Sequence, residues 1–141
     1  MKTTGLVYAE ITLINASELE MAQRNLIDAN EVRQINVNMM ADNGADQMVI
    51  NEAIRDQLNL SFIEKKRLVL ANGGIAEFDV VGPLLVKFKN RTATCSAVVL
   101  PGNNEPLLGA IPIEEMDVLI HPKYQELIVN PEHPEGAVLR L

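Results

Sequence analysis

With 141 residues and a formal net charge of −7, the chain has the length of one domain, taken as residues 1–141, and can bury roughly two-thirds of its unfolded surface. Acidic residues outnumber basic ones 19 to 12, and the aromatics are three Phe and two Tyr without Trp, so a basic, ring-lined surface for nucleic acid is excluded. The lone Cys95 cannot form an intrachain disulfide, His121 and His133 lie far apart among prolines without metal-ligand spacing, and no run of about 20 apolar residues is present.

The first segments alternate at period two. Residues 6–14 (LVYAEITLI) and 32–41 (VRQINVNMMA) both read as strands rich in Val, Ile and Met. The polar connector between them, residues 15–31, carries Ser17 with Glu20 three positions on, a capping-box pattern that predicts a short helix, with an extended hairpin arm as the alternative. Residues 51–60 (NEAIRDQLNL) predict one short amphipathic helix with Asn51 as its cap and Ala53, Ile54 and Leu58 as its apolar positions.

A hairpin follows. Residues 68–71 form its first arm, Asn72-Gly73-Gly74 supply the positive φ that a tight turn demands, and residues 75–81 return. Lys65-Lys66-Arg67 read as an exposed lead-in. A further strand at 84–88 turns at Lys89-Asn90-Arg91 into another at 92–100. Many short strands at close spacing predict an all-β, closed or sandwiched architecture with one or two short helices.

Two passages share an order of features. Residues 39–50 (MMADNGADQMVI) and 105–120 (EPLLGAIPIEEMDVLI) each run from an apolar strand through Gly-Ala into apolar residues and a short helix, a faint internal duplication. The first raises a physical question. A carboxylate at the end of a buried strand costs several kcal/mol unless it is paired or protonated, and Asp42 stands there, ahead of a glycine turn.

Asp42-Asn43-Gly44-Ala45-Asp46 resembles the Asp-Thr/Ser-Gly-Ala signature of retropepsin-like aspartic peptidases. The glycine hairpin at 72–74 lies where that family carries its flap, and Pro106-Leu107-Leu108-Gly109-Ala110 resembles its second motif of two apolar residues and glycine ahead of a short helix. The three features agree in order over residues 35–120, and the GAIP and NPEHP stretches are similar to those of small bacterial members of the clan. The resemblance implies a closed acid-protease-like barrel with a flap near residues 68–81. It implies Asp42 as the catalytic residue, Asn43, Gly44 and Ala45 as the active-site loop, and Asp46, Asn72, Gly73, Gly74, Leu107, Leu108 and Gly109 as the substrate-binding set, with no metal.

In that family two carboxylates share one proton, one taking a proton from water and the other polarising the scissile carbonyl. Sharing is forced, because two carboxylates about 3 Å apart at an effective dielectric of about 20 repel by about 5 kcal/mol, or about 4 pKa units. This chain carries the acidic motif once. The resemblance therefore implies a twofold homodimer with one Asp42 from each copy, closing over an extended peptide or protein substrate. Asn43 departs from the family, whose Thr or Ser hydroxyl grips the opposite loop; an amide there could donate to an aspartate and oppose proton sharing. A weakened relative that binds peptides is the alternative function.

Plainer readings stand beside these. Asp42 is also a common turn residue, Asn72-Gly73-Gly74 also a simple hairpin tip, and Leu107-Leu108-Gly109 core packing beside the site. Both histidines read as surface loop residues and Cys95 as a small core residue. The expectation is a cytoplasmic protein needing no cofactor, metal, nucleic acid or membrane.

Overall fold

The computed structural model describes residues 6–141. Among these residues, nine strands and three short α-helices make a mostly β structure. In chain order they are β1 (Tyr8–Asn15), α1 (Ala16–Gln23), β2 (Gln34–Ala41), β3 (Val49–Asn51), α2 (Glu52–Gln57) and β4 (Ser61–Val69). There follow β5 (Ile75–Phe88), β6 (Arg91–Leu100), β7 (Leu107–Leu108), α3 (Ala110–Met116), β8 (Val118–His121) and β9 (Glu126–Val129).

Seven strands share one sheet in the order β1-β2-β7-β3-β6-β5-β4, and β1 also pairs antiparallel with β5. Among the described residues β4 pairs only with β5. β8 and β9 form a separate hairpin. Period-two patterning explains the inner face: Ile11 and Leu13 of β1, Met39 and Ala41 of β2, and Leu84, Val86 and Phe88 of β5 are buried. With Ile50, Leu58, Leu108 and Met116 they form one core, each large side chain contributing roughly 1.5–3 kcal/mol of burial.

Several expectations change. The described residues hold three α-helices, not one or two, because the connector at 15–31 folds as α1 and a short 3-10 turn at Ala29–Glu31. The cap of α1 is Asn15, not Ser17: Asn15 Oδ1 accepts the Glu18 N–H at 3.0 Å while its Nδ2 donates to the Leu58 carbonyl at 2.8 Å. One buried amide thus starts the helix and ties it to the end of α2. Glu18, also buried, accepts the Arg33 N–H at 2.9 Å and pairs with the Arg33 guanidinium.

Asn51 does cap α2, accepting the Ile54 N–H at 2.9 Å. Its buried face is Ile54 and Leu58, four residues apart, whereas Ala53 points to solvent. The strands expected at 75–81 and 84–88 are one strand, β5, whose register to β6 shifts between Val81 and Leu84. Gly82 (φ +146°) lies at that shift, where a Cβ would come within 3.2 Å of the Ser96 backbone, so the close crossing of β5 and β6 requires glycine. The charged stretch Lys65-Lys66-Arg67 is not a lead-in but the interior of β4. Finally, α3 stops at Met116, because Asp117 adopts φ +54° and ends the helix, and the apolar residues beyond it enter β8.

Candidate functional site

Alternation along β2 places Ala41 inside the core, so the next side chain, Asp42, leaves the buried face and is half-buried. The backbone there is held from two sides. The Ala41 N–H donates to the Val7 carbonyl at 2.7 Å and the Asp42 N–H to the Leu108 carbonyl at 2.9 Å. The carboxylate then organises its own turn: Oδ1 accepts the Gly44 N–H at 2.9 Å, while the Ala45 N–H returns to the Asp42 carbonyl at 3.1 Å. A Cβ on Gly44 would press on Asp42 Oδ1 at 3.1 Å. Asp42 Oδ2 has no donor among the described residues.

The two similar passages of the sequence meet in space. β2 and β7 run parallel, Met40 opposite Leu107 and Ala41 opposite Leu108, while Leu107 also lies opposite Val49 of β3. β7 is therefore wedged between the strands that enter and leave the acidic turn. Next to it, Gly109 has no room for any side chain, since a Cβ would lie 2.1 Å from the Gln47 carbonyl oxygen and 2.8 Å from that of Ala45. That approach lets the Ala110 and Ile111 N–H groups bond the Ala45 and Asp46 carbonyls at 2.7 and 3.1 Å, tying the first turn of α3 to the acidic loop.

Leu108 is buried, Leu107 half-buried, and Asp46 exposed. The β4–β5 hairpin closes at Gly73 (φ +84°), whose N–H donates to Leu70, while Asn72 Oδ1 accepts the Gly74 N–H at 2.8 Å. A groove of about 390 Å³ separates this hairpin from the acidic loop, with Gly44, Ala45 and Asp46 on one wall and Arg67, Leu68 and Val69 on the other. The arm of the hairpin lines the groove; Asn72, Gly73 and Gly74 form its exposed tip beyond it.

On the other side of the turn a cavity of about 320 Å³ has Ala41, Asp42 and Asn43 on one wall and Ile120, His121 and Gln125 on the other. Asn43 is exposed and also borders a cavity of about 360 Å³ against Ile113, Leu119 and Ile120. Sequence reasoning missed both the β8–β9 hairpin and His121 as a neighbour of Asp42. The alternating residues 118–121 were legible as a strand only once the helix end at Asp117 is known. Arg67 was missed as a groove residue for a similar reason, since its placement depends on how the hairpin leans.

Elsewhere, burial, with a smaller push from Glu115, raises the half-buried Cys95 thiol to about 12, which makes it a poor nucleophile. Asp117 is held down at about 2, chiefly by the Asn130 side-chain amide at 3.0 Å, then by the Val138 N–H at 3.1 Å and by His133 Nδ1 at 2.6 Å. The buried Arg91 guanidinium donates to the His133 carbonyl of that same C-terminal segment, and its Nε and Nη1 have no partner among the described residues. No group of three or more His, Cys, Asp or Glu among the described residues is arranged to hold a metal ion. No helix among them is long and apolar enough to cross a membrane.

The retroviral protease-like domain of Ddi1 from Leishmania major aligns with 92% of this chain and 91% of its own, with a TM-score of 0.55 and 15% sequence identity. EIAV protease, solved with the inhibitor HBY-793, aligns over 77% of this chain and 88% of its own, with a TM-score of 0.47 and 20% identity. No family model matches the sequence, and no curated protein does. The chain has a retropepsin-like fold.

Proposed function

We propose that the chain is a single retropepsin-like domain that acts as a homodimeric aspartic endopeptidase in the cytoplasm. The observation that carries this reading is the presentation of Asp42: a half-buried carboxylate on a self-bonded glycine turn, braced by β7 and opening on a cavity, within a retropepsin-like fold. One such turn per chain makes a second copy necessary for a dyad, and a twofold axis beside Asp42 supplies it. The ring of strand pairings then serves as the closed barrel, and the β4–β5 hairpin as the flap over the groove at Gly44, Ala45 and Asp46.

In the dimer, the ionised Asp42 takes a proton from a water whose oxygen attacks the peptide carbonyl carbon. The protonated Asp42 gives its proton to the carbonyl oxygen, and collapse of the adduct breaks the C–N bond as the nitrogen is protonated. Proton sharing of this kind is the general behaviour of aspartic proteases. Backbone groups of the loop and flap pair with the peptide as an added strand.

Asn43 favours a second reading, a weakened relative that binds peptides without cutting them. Its side chain makes no hydrogen bond among the described residues and stands where the family has Thr or Ser. Sedimentation at graded concentration combined with a peptide-library assay separates the readings. The protease reading expects a dimer that cleaves, with Asn43→Thr raising turnover by about 10- to 100-fold through better alignment of the dyad. A dimer that binds a hydroxyl-bearing peptide isostere and cleaves nothing supports the binding module. A persistent monomer sinks both.

A further inference from the structure

The groove between the acidic loop and the β4–β5 hairpin carries a charge that the chemistry above leaves unused. Its walls are opposed in sign, with Asp46 on the loop and Arg67 on the hairpin. The strand register shows which way Arg67 looks. Val81 of β5 and Ala97 of β6 are paired and both lie in the core, so alternation puts Asp79, Glu77 and Ile75 on that same face of β5. Their partners across β4 are Lys65, Arg67 and Val69, and Arg67 and Val69 reach the groove from this core-side face. Lys65 is neutralised by Asp79 at 2.8 Å. Arg67 is exposed, and its guanidinium has no hydrogen-bond or ion-pair partner among the described residues, although Glu77 stands opposite it on β5. The backbone agrees with the side chains. The Leu70 N–H bonds the Gly74 carbonyl at 2.7 Å, so Leu70, Leu68 and Lys66 spend their backbone groups on β5, and those of Val69 and Arg67 turn to the other edge of β4.

We propose that Arg67 is a specificity-determining residue, selecting glutamate or aspartate at the one position of a bound extended peptide that lies beside it. The peptide rests on the protease reading; the choice of charge comes from the hairpin. A strand added to this edge of β4 sets one residue directly opposite Arg67, with both side chains on the same face, where opposite charges attract and like charges repel. A carboxylate there gives the guanidinium the two-oxygen partner that it lacks. A lysine would meet like charge, and a neutral side chain of the same shape would leave the ion pair unmade. Asp46 on the facing wall opposes an acid placed nearer to it, which confines the preference to a single position.

The full-length protein is tested at low salt with matched peptides that differ only by Glu, Gln or Lys at one scanned position. Binding of uncleavable analogues and cleavage of the parent peptides are both read. The expected result is one position at which Glu is preferred about fivefold over Gln, the discrimination of one partly exposed ion pair, and more strongly over Lys. Added salt should shrink that preference in the native chain. Arg67→Gln should bring the Glu-to-Gln ratio to about one, and Arg67→Glu should turn the preference toward Lys at that same position and at no other. A merely structural role for Arg67 would lower binding of all three peptides alike and reverse nothing. A ratio unchanged in Arg67→Gln, no reversal in Arg67→Glu, or no Glu-preferring position in the native chain overturns the proposal and leaves the protease reading intact. If no peptide binds or is cut, both fall.

Discussion

Asp42 directly follows the last residue of β2 and Asp117 the last residue of α3, so both carboxylates stand where a regular element ends, and both are half-buried. Their surroundings differ. Asp117 accepts from Asn130, Val138 and His133, three donors that all belong to the C-terminal segment. Among the described residues Asp42 accepts one N–H, that of Gly44, and it opens on a cavity. Carboxylate oxygens filled by protein donors leave little for a ligand and act as a clamp; an oxygen left open is available to a proton, a water or a second carboxylate. The same residue type therefore builds the fold in one place and remains free for chemistry in the other.

The sharpest way to break this contrast is to exchange oxygen for amide at each position. Under the proposed function, Asp42→Asn is expected to lower kcat by about 10³-fold or more with thermal stability nearly unchanged. Asp117→Asn is expected to do the reverse, lowering the melting temperature while folded protein keeps its turnover. Cleavage and calorimetry on the two variants check both halves, and loss of stability in Asp42→Asn with activity retained would invert the assignment.

Glycines make the same comparison at the next level of effect. Gly109→Ala should destabilise by about 3 kcal/mol or more, because its Cβ would overlap the Gln47 carbonyl at 2.1 Å and split α3 from the acidic loop. Gly73→Ala, at φ +84° with open space around it, should cost about 1 kcal/mol through backbone strain alone. Denaturant midpoints separate the two cases, and equal losses would refute the claim that β7 and α3 brace the loop.

The smallest effect is a trend with pH. The native value of Asp117, about 2, lies below the ordinary 3.8, so its stabilisation is fully present above about pH 4 and is lost as the pH falls toward 2. Melting temperatures of the native chain and Asp117→Asn should thus differ most above pH 4 and converge on acidification. A gap that stays constant down to pH 2 would show that the clamp does not depend on the carboxylate's charge.

Much of this was legible in local chemistry. The Asn72-Gly73-Gly74 turn, the Asn51 cap and the alternating strands each depend on residues a few positions apart, and the three family-like motifs kept their order along the chain. Asn15 was not legible as a cap, because half of its hydrogen bonding goes to the Leu58 carbonyl, 43 residues away. Gly82 announces nothing in sequence, and Gly109 stood out there only as part of a motif; each is required by a backbone that arrives from a distant segment.

By itself the sequence determined an acidic, β-rich chain with a carboxylate at the end of an apolar strand, since strand period and turn propensity are short-range properties. Only the tertiary structure decided which carboxylate is clamped and which is open, and that His121 shares a cavity with Asp42. The physical reason is range: hydrogen-bond saturation and burial are set by whichever groups long-range strand pairing brings within a few ångströms, and no local pattern encodes that company.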